Sequence, residues 1–245
     1  MASFHHHVSS GRPGTALEHA RYVQRLGKYS KRGDLIYSAC ANMPSWAAGN
    51  EMLFWDAADR NERVNGAAYR EQVIAIPNEL ARDQQIALAH ELARRLVGFK
   101  PYVLAIHAPI AALGEQPNVH VHIVYTDRVP DGIERAPGGE FRRFNRADPA
   151  LGGWRKDSGG KTRMQTRDQV IGWRKTSADT QNEFLEANGH SARVDYRSLE
   201  QQGIARTPER HLGPWRVRNM SLDETVEYAQ VRQSAAIGKA TAKSS

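Results

Sequence analysis

Asn118-Val119-His120-Val121-His122-Ile123-Val124-Tyr125-Thr126 is the stretch of this sequence that decides the fold. Its alternation of polar and apolar side chains predicts a β-strand with one buried face. Successive side chains of a strand point to opposite faces, so His120 and His122 share one face, with their Cα atoms roughly 7 Å apart. Val121 and its apolar neighbours point the other way, towards the core. The two imidazoles can therefore bind one metal ion.

A third histidine, His107, stands at the end of an apolar run over residues 102–107 that predicts another strand. If the two strands pair antiparallel, His107 reaches the same face as His120 and His122. Three neutral imidazoles suit Mn²⁺, Zn²⁺, Co²⁺ or Ni²⁺ and leave coordination positions open, and Mg²⁺, abundant in cells, is a further candidate. Two alternating histidines alone are more often surface or structural residues, so the third histidine is what favours a metal site.

Helical and extended segments alternate along the rest of the chain. Apolar spacing predicts helices over residues 15–26, 50–65, 82–97 and about 168–188, and a strand over 69–77. Another strand begins near His5-His6-His7, whose side chains alternate faces, so they cannot converge on one ion and one of them is expected to point inward. Trp46 and Trp55 are expected to pack on the sheet. This order predicts an α+β fold in which an antiparallel central β-sheet is flanked by helices, as a two-layer or three-layer sandwich.

The composition is that of a globular protein biased towards polyanionic partners. The 245 residues are 40% hydrophobic and carry a formal charge of +7, with a sequence pI near 9.7. The lone cysteine, Cys40, excludes an intramolecular disulfide and a multi-cysteine zinc site, and favours a reducing compartment. The first residues resemble no signal peptide, and no apolar run approaches the ~20 residues of a membrane span. We therefore expect a cytoplasmic protein without membrane insertion.

Most of the net positive charge lies in one segment, residues 128–175, which has twelve basic and six acidic residues. This concentration predicts a surface that follows the phosphates of single-stranded DNA, with Phe141, Phe144, Trp154 and Trp173 available to stack on bases. The alternative is a solvated loop without a partner. The candidate DNA-binding residues are Arg128, Arg135, Arg142, Arg143, Arg146, Arg155, Lys156 and Lys161.

The run over residues 118–123, followed by Asp127-Arg128, resembles the histidine motif of HUH endonucleases, specifically that of MobA/MobL family plasmid mobilisation relaxases of the MobQ type. Further runs resemble landmarks of that family and extend the similarity over about residues 1–216. They are Tyr22-Val23-Gln24-Arg25-Leu26-Gly27-Lys28-Tyr29, Phe54-Trp55-Asp56-Ala57-Ala58-Asp59, Leu104-Ala105-Ile106-His107, Asp131-Gly132-Ile133-Glu134-Arg135, Leu199-Glu200-Gln201-Gln202-Gly203-Ile204 and His211-Leu212-Gly213-Pro214.

This resemblance implies a HUH relaxase fold with a ferredoxin-like or palm-like sheet, in which residues 1–218 form the nicking and joining domain. Residues 219–245 are expected to be a polar tail, disordered at its extreme end. A relaxase nicks one strand at a plasmid origin of transfer, stays attached to the 5′ end and can religate it. The implied partners are single-stranded or locally melted origin DNA, a divalent ion such as Mn²⁺ or Mg²⁺, accessory mobilisation proteins and the coupling protein of a type IV secretion system.

Tyr22 matches the nucleophile position of the family, and Glu71 matches an acidic position. By residue type alone, a tyrosine on an amphipathic helix is most often a packing residue, so the resemblance is what ranks Tyr22 first. Tyr29 is its rival, seven residues or about two helical turns further on. Glu71 is expected to orient a metal-binding histidine or to assist deprotonation of the tyrosine, with a solvated strand glutamate as the alternative.

The sequence leaves two other functions open. A rolling-circle replication initiator would use the same chemistry on a different origin. A non-catalytic protein that binds origin DNA or regulates its own expression would use the fold without the reaction. Whether the chain is a complete small relaxase or a domain of a larger protein also stays open.

Overall fold

Five strands among the described residues form one antiparallel sheet in a computed structural model that covers residues 4–110, 117–205, 219–221, 224, 225 and 228. They are β1 (His6–Gly11), β2 (Leu35–Ala41), β3 (Tyr69–Ala75), β4 (Tyr102–His107) and β5 (His120–Tyr125), in the spatial order β1-β3-β5-β4-β2. The histidine-bearing strand β5 is therefore central, with antiparallel neighbours on both sides. The predicted antiparallel sheet is confirmed.

Helices cover both faces of this sheet. They are α1 (Ala16–Val23), α2 (Glu51–Asn61), α3 (Arg82–Leu96) and α4 (Arg163–Ala187). Alternate residues of β4 contribute to different cores: Leu104 and Ile106 pack with residues of α3 and α4, whereas Val103 and Ala105 pack with residues of α1 and α2. Burial on both faces explains why β4 reads as a continuous apolar run. The three-layer form of the predicted sandwich is the one observed.

Helix α1 ends earlier than its apolar spacing predicts. Arg25 adopts a left-handed backbone conformation with φ of 57°, and Gly27 follows with φ of 58°. A right-handed helix cannot continue through such residues, and glycine adopts this conformation without steric cost. A single 3₁₀ turn at Gly27–Tyr29 follows, beyond the end of the predicted helix.

Helix α4 starts earlier than predicted because it has a capping box. The Thr162 hydroxyl accepts a hydrogen bond from the Gln165 amide at 3.2 Å, and the Gln165 side chain accepts one from the Thr162 amide at 2.8 Å. Two otherwise unpaired donors of the first turn are thus satisfied.

Strand β2 was not predicted from the sequence. It lies at the edge of the sheet, where its side chains are mostly half-buried and show no clean alternation of buried and exposed positions.

Two smaller predictions are confirmed by the packing. Trp55 is fully buried, and Trp46 packs against the same core beside α1 and α2. In β1 one histidine of the His5-His6-His7 run points inward: His6 is buried, with its Nε2 atom 2.9 Å from the Gln72 side-chain oxygen.

The chain divides into two compact units, and all the elements above belong to the first, which comprises residues 1–109 and 118–196. The second unit comprises residues 110–117 and 197–245. Its described residues include a turn in which Ser198 and Gln201 bond reciprocally. The 211–214 run and most of the predicted polar tail lie outside the described residues. No helix in the described part of the chain is long and apolar enough to cross a bilayer.

Candidate metal centre and nucleophile helix

The register of β4 and β5 places three histidines together on the face covered by α1 and α2. His107 pairs directly with His120, and His122 lies two residues further along β5. The candidate ligand nitrogens of the three rings all lie within 4.8 Å of one another. The sequence-based expectation that these three side chains share one face is met by this geometry.

The protonation of the rings suits metal binding. Burial, followed by the neighbouring His122, lowers the pKa of His107 to about 4, and burial lowers the pKa of His120. Both rings are therefore neutral at neutral pH and keep a nitrogen lone pair for a cation.

Hydrogen bonds on the outer nitrogens determine which lone pairs remain. His120 Nδ1 donates to the Asn118 carbonyl oxygen at 2.8 Å, and His122 Nδ1 donates to Glu71 Oε1 at 2.7 Å. Each therefore keeps an Nε2 lone pair. His107 Nε2 donates to the Val23 carbonyl oxygen at 2.7 Å, which leaves the lone pair on Nδ1. Arg25 Nη2 lies 3.1 Å from that Nδ1 atom, so a metal ion bound there would replace the hydrogen bond from Arg25. The donor set, three convergent imidazoles oriented by hydrogen bonds, fits a borderline divalent ion.

Glu71, on β3, is almost fully buried beside this cluster. Burial raises the pKa of its carboxyl group, but the hydrogen bond from His122 and the neighbouring His19 ring hold the pKa well below its ordinary range. Its Oε1 atom lies 3.0 Å from His19 Nε2 as well as 2.7 Å from His122 Nδ1. Glu71 is thus an anion that contacts one ring of the cluster and one side chain of helix α1.

The end of helix α1 is bonded directly to the histidine cluster. Besides the bond from His107 to Val23, Arg25 Nη2 donates to His107 Nδ1 at 3.1 Å, and Arg25 Nη1 donates to the Tyr22 carbonyl oxygen at 2.6 Å. Asp34 holds the same guanidinium in a bidentate pair with two distances of 2.8 Å. These bonds bring the segment that carries Tyr22 against the candidate metal centre.

The ring of Tyr22 is half-buried among polar and aromatic groups. The guanidinium carbons of Arg25 and Arg32 lie 4.7 and 5.2 Å from its ring centroid, and Arg32 Nη1 approaches its hydroxyl oxygen at 3.4 Å. The rings of His19 and Tyr29 lie 6.1 and 5.3 Å away. Tyr29 contacts Tyr22 from the 3₁₀ turn rather than from a continued helix.

The MobA/MobL family profile matches residues 12–221 of this sequence. The chain belongs to the MobA/MobL family. The “43 kDa relaxation protein” of Salmonella typhimurium is 42% identical over 211 residues, which are 84% of this chain and 56% of that protein. “Mobilization protein A” of Escherichia coli is 40% identical over 220 residues, 87% of this chain and 30% of its own length. The chain therefore spans somewhat over half the length of the first relative and about a third of the length of the second.

One solved structure shares the MobA/MobL fold seen here. It is described as “Molecular Basis of Vancomycin Resistance Transfer in Staphylococcus aureus”, and it matches with a TM-score of 0.57 at 24% sequence identity. The match covers 80% of this chain and 100% of that one. At this identity the similarity concerns the fold.

Four residues near the MobA/MobL histidine cluster were missed by the sequence-based predictions: His19, Arg25, Arg32 and Asp34. His19 had a readable signal, since it precedes Tyr22 by three positions and so shares its side of a helix. Its ring stacks on Tyr69 with 4.6 Å between centroids. The other three gave no local signal, because their contacts depend on the left-handed turn after α1.

The basic segment of this MobA/MobL chain separates into framework and surface residues. Arg128 and Arg135 are shielded from solvent and have all five N–H donors bonded within the protein. Their predicted place on a phosphate-contacting surface is therefore corrected. Lys156 is paired with Glu62, and Lys161 with Asp157. Of the eight candidate DNA-binding residues, the exposed ones are Arg142, Arg143, Arg146 and Arg155.

The predicted stacking aromatics also separate. Phe141 and Trp154 are buried in the core beside α1 and α2, and the expectation that they stack on bases is wrong, because apolar burial takes precedence. Trp173 packs against the core beside α3 and α4. Phe144 is exposed among the arginines.

Proposed function

We propose that this chain is the nicking and joining part of a conjugative relaxase, a metal-dependent transesterase acting on single-stranded DNA at a plasmid origin of transfer. One observation carries the proposal. The helix end that bears Tyr22 is hydrogen-bonded through Val23 and Arg25 to His107, one of three convergent imidazoles. A candidate nucleophile and a candidate cation site are thereby joined by direct hydrogen bonds.

The proposed reaction exchanges one phosphodiester for another. The Tyr22 hydroxyl oxygen bonds to the scissile phosphorus as the bond from phosphorus to the 3′-oxygen breaks, and the phenolic proton is lost while the departing 3′-oxygen gains one. The products are a 5′-phosphotyrosyl link and a free 3′-hydroxyl. Because the phosphotyrosyl bond keeps the energy of the original linkage, the reverse step religates the strand.

His107, His120 and His122 would hold the ion, with Mn²⁺ or Mg²⁺ as first candidates and Zn²⁺, Co²⁺ or Ni²⁺ as alternatives. A bound divalent ion supplies Lewis-acid stabilisation of charge on the phosphate oxygens. Glu71 is proposed to fix the orientation of His122, so that its Nε2 atom faces the ion.

Replacing Glu71 with alanine is expected to weaken Mn²⁺ binding by about 10- to 100-fold, the usual effect of losing a carboxylate that orients a metal-binding histidine. Glu71→Gln keeps an acceptor for His122 Nδ1 and should lose less affinity. Isothermal titration of the DNA-free protein with MnCl₂ measures both. Equal affinities for the wild type and Glu71→Ala would remove the proposed role.

The DNA surface is proposed to consist of the exposed residues Arg142, Arg143, Arg146 and Arg155, with Phe144 among them. Each phosphate contact on a single strand contributes roughly 0.7 to the slope of log affinity against log salt. A double variant, Arg142→Ala with Arg143→Ala, should therefore reduce that slope by about 1.4. A matched double variant, Arg60→Ala with Arg94→Ala, removes the same charge from two helices and should leave the slope unchanged. Fluorescence anisotropy with an origin oligonucleotide at several salt concentrations decides between these results.

The remaining partners are proposed from the family. Relatives carry the names “Mobilization protein A” and “Probable conjugal transfer protein TraA”. We accordingly place this chain in the bacterial cytoplasm, with accessory mobilisation proteins and the coupling protein of a type IV secretion system as its partners.

The proposal is tested with a 3′-labelled single strand carrying an origin of transfer, incubated with Mn²⁺ or Mg²⁺ and separated by denaturing electrophoresis. A labelled fragment that migrates with the protein, and disappears after chelation, supports a metal-dependent relaxase. A strand from a rolling-circle replication origin is the second substrate, and preferential cleavage of that strand would indicate an initiator. Binding without any adduct would indicate a non-catalytic origin-binding protein.

A further inference from the structure

The segment from α1 into the following loop carries five cationic side chains, and most of them are neutralised. Arg21 and Lys28 both pair with Glu18, at 3.0 and 2.7 Å. Arg25 is paired with Asp34 at 2.8 Å. Across the described residues, no carboxylate pairs with the other two, Lys31 and Arg32.

Arg32 differs from Lys31 in what it contacts. Its Nη1 atom lies 3.4 Å from the Tyr22 hydroxyl oxygen, and its guanidinium carbon lies 5.2 Å from the Tyr22 ring centroid. The Arg32 backbone amide donates to the Tyr29 carbonyl oxygen at 3.1 Å, which closes a turn between Tyr29 and Arg32. Arg32 is exposed. It is therefore a cation beside the candidate nucleophile that is open to an incoming anion.

Arg25 cannot fill the same role. It is buried, and its guanidinium is occupied by Asp34, His107 and the Tyr22 carbonyl oxygen. If Arg25 bound a phosphate instead, Asp34 would be left as a partly buried carboxylate without its ion-pair partner, which costs free energy. Arg25 therefore holds the end of helix α1, and Arg32 is the arginine that can bind an anion.

We propose that Arg32 is a catalytic residue whose guanidinium binds a non-bridging oxygen of the scissile phosphate while it contacts the Tyr22 hydroxyl. The inference rests on the proposed transesterification. Arginine suits this role because its planar N–H donors can serve both oxygens at once and its charge persists at any physiological pH. Arg32 transfers no proton. One P–O bond forms and one breaks, so the phosphate keeps a single negative charge, which the guanidinium stabilises electrostatically throughout the reaction.

The test is single-turnover adduct formation by the full chain with Mn²⁺, comparing the wild type, Arg32→Ala, Arg32→Lys and Lys31→Ala. Arg32→Ala should slow the reaction by about 10²-fold, the usual effect of removing one donor to a developing charge. Lys31→Ala removes the same charge one residue away and should stay within about twofold of the wild type. Arg32→Lys should fall between, because it keeps the charge and loses the planar donors.

A second substrate separates phosphate binding from a purely structural effect. A methylphosphonate at the scissile position lacks the charged non-bridging oxygen. On this substrate the rates of adduct formation by the wild type and by Arg32→Ala should therefore be much closer than on the ordinary phosphate. Free guanidinium should also partly restore the Arg32→Ala reaction on the ordinary phosphate. A rate deficit that is the same on both substrates, or absent on both, would overturn the inference.

These outcomes are distinct from failure of the proposed function. If the wild type forms no adduct on any origin strand, the transesterification itself is refuted and the role of Arg32 with it. If the wild type reacts and Arg32→Ala matches Lys31→Ala, the inference alone falls. Thermal unfolding of each variant, expected within a few degrees of the wild type, shows that an exposed arginine has been removed without loss of the fold.

Discussion

Tyr22→Phe is expected to abolish the covalent protein–DNA adduct, with a loss of at least about 10³-fold in the rate of its formation. The substitution removes the hydroxyl oxygen and nothing else. The ring keeps its contacts with the guanidinium groups of Arg25 and Arg32 and with the ring of Tyr29. Non-covalent affinity for the origin strand should therefore change little, because the proposed phosphate contacts come from arginine side chains that this substitution leaves in place. Adduct formation by denaturing electrophoresis and binding by anisotropy measure the two effects separately.

Tyr29→Phe is the matched control, since it removes the same atom from a ring 5.3 Å away. It should keep adduct formation within a few-fold of the wild type. An adduct that persists in Tyr22→Phe and disappears in Tyr29→Phe would transfer the nucleophile assignment to the 3₁₀ turn.

Arg128→Ala is expected to lower the free energy of unfolding by about 3–5 kcal/mol, the usual loss when one partner of a buried ion pair is removed. Arg128 donates to both carboxylate oxygens of Glu62 and to the carbonyl oxygens of Phe141, Arg142 and Trp154. Its removal leaves Glu62 as a buried carboxylate with fewer partners and frees three carbonyl groups. Urea unfolding monitored by tryptophan fluorescence is the measurement.

The pH dependence of this loss has a definite sign. Burial raises the pKa of Glu62, but Arg128, with smaller contributions from the Arg63 amide and Lys156, holds that pKa below its ordinary value. A lowered folded-state pKa means that the pair stabilises the protein at neutral pH and that this contribution fades as the pH falls. The difference between the wild type and Arg128→Ala should therefore shrink in acid. As a control, Arg155→Ala removes an exposed arginine and should change the unfolding free energy by no more than about 0.5 kcal/mol.

The features that sequence could predict are those with short-range periodicity. The two-residue repeat of β5 placed His120 and His122 on one face, and the end of β4 placed His107 opposite them. The α+β class and its antiparallel sheet followed from the same alternation, together with the helical spacing between strands. Tyr22 and Glu71 came from family resemblance, because neither residue type is distinctive by itself.

The features that sequence could not predict depend on contacts distant along the chain or on unusual backbone angles. Arg25 reaches His107 only because its own φ is positive, and no apolar pattern signals that. Arg128 looked like one cation among twelve, yet its bonds to Glu62 span 66 positions and make it a framework residue. Net charge indicates a partner class; it does not say which arginines face that partner.

The contacts at the end of helix α1 have a consequence for any substitution of His107. The His107 ring accepts a hydrogen bond from Arg25 and donates one to the Val23 carbonyl oxygen, and the ion pair between Arg25 and Asp34 closes the turn that follows. Removing this ring takes one imidazole from the cluster and also releases two hydrogen bonds beside Tyr22. A His107 variant therefore tests the metal site and the placement of the tyrosine together.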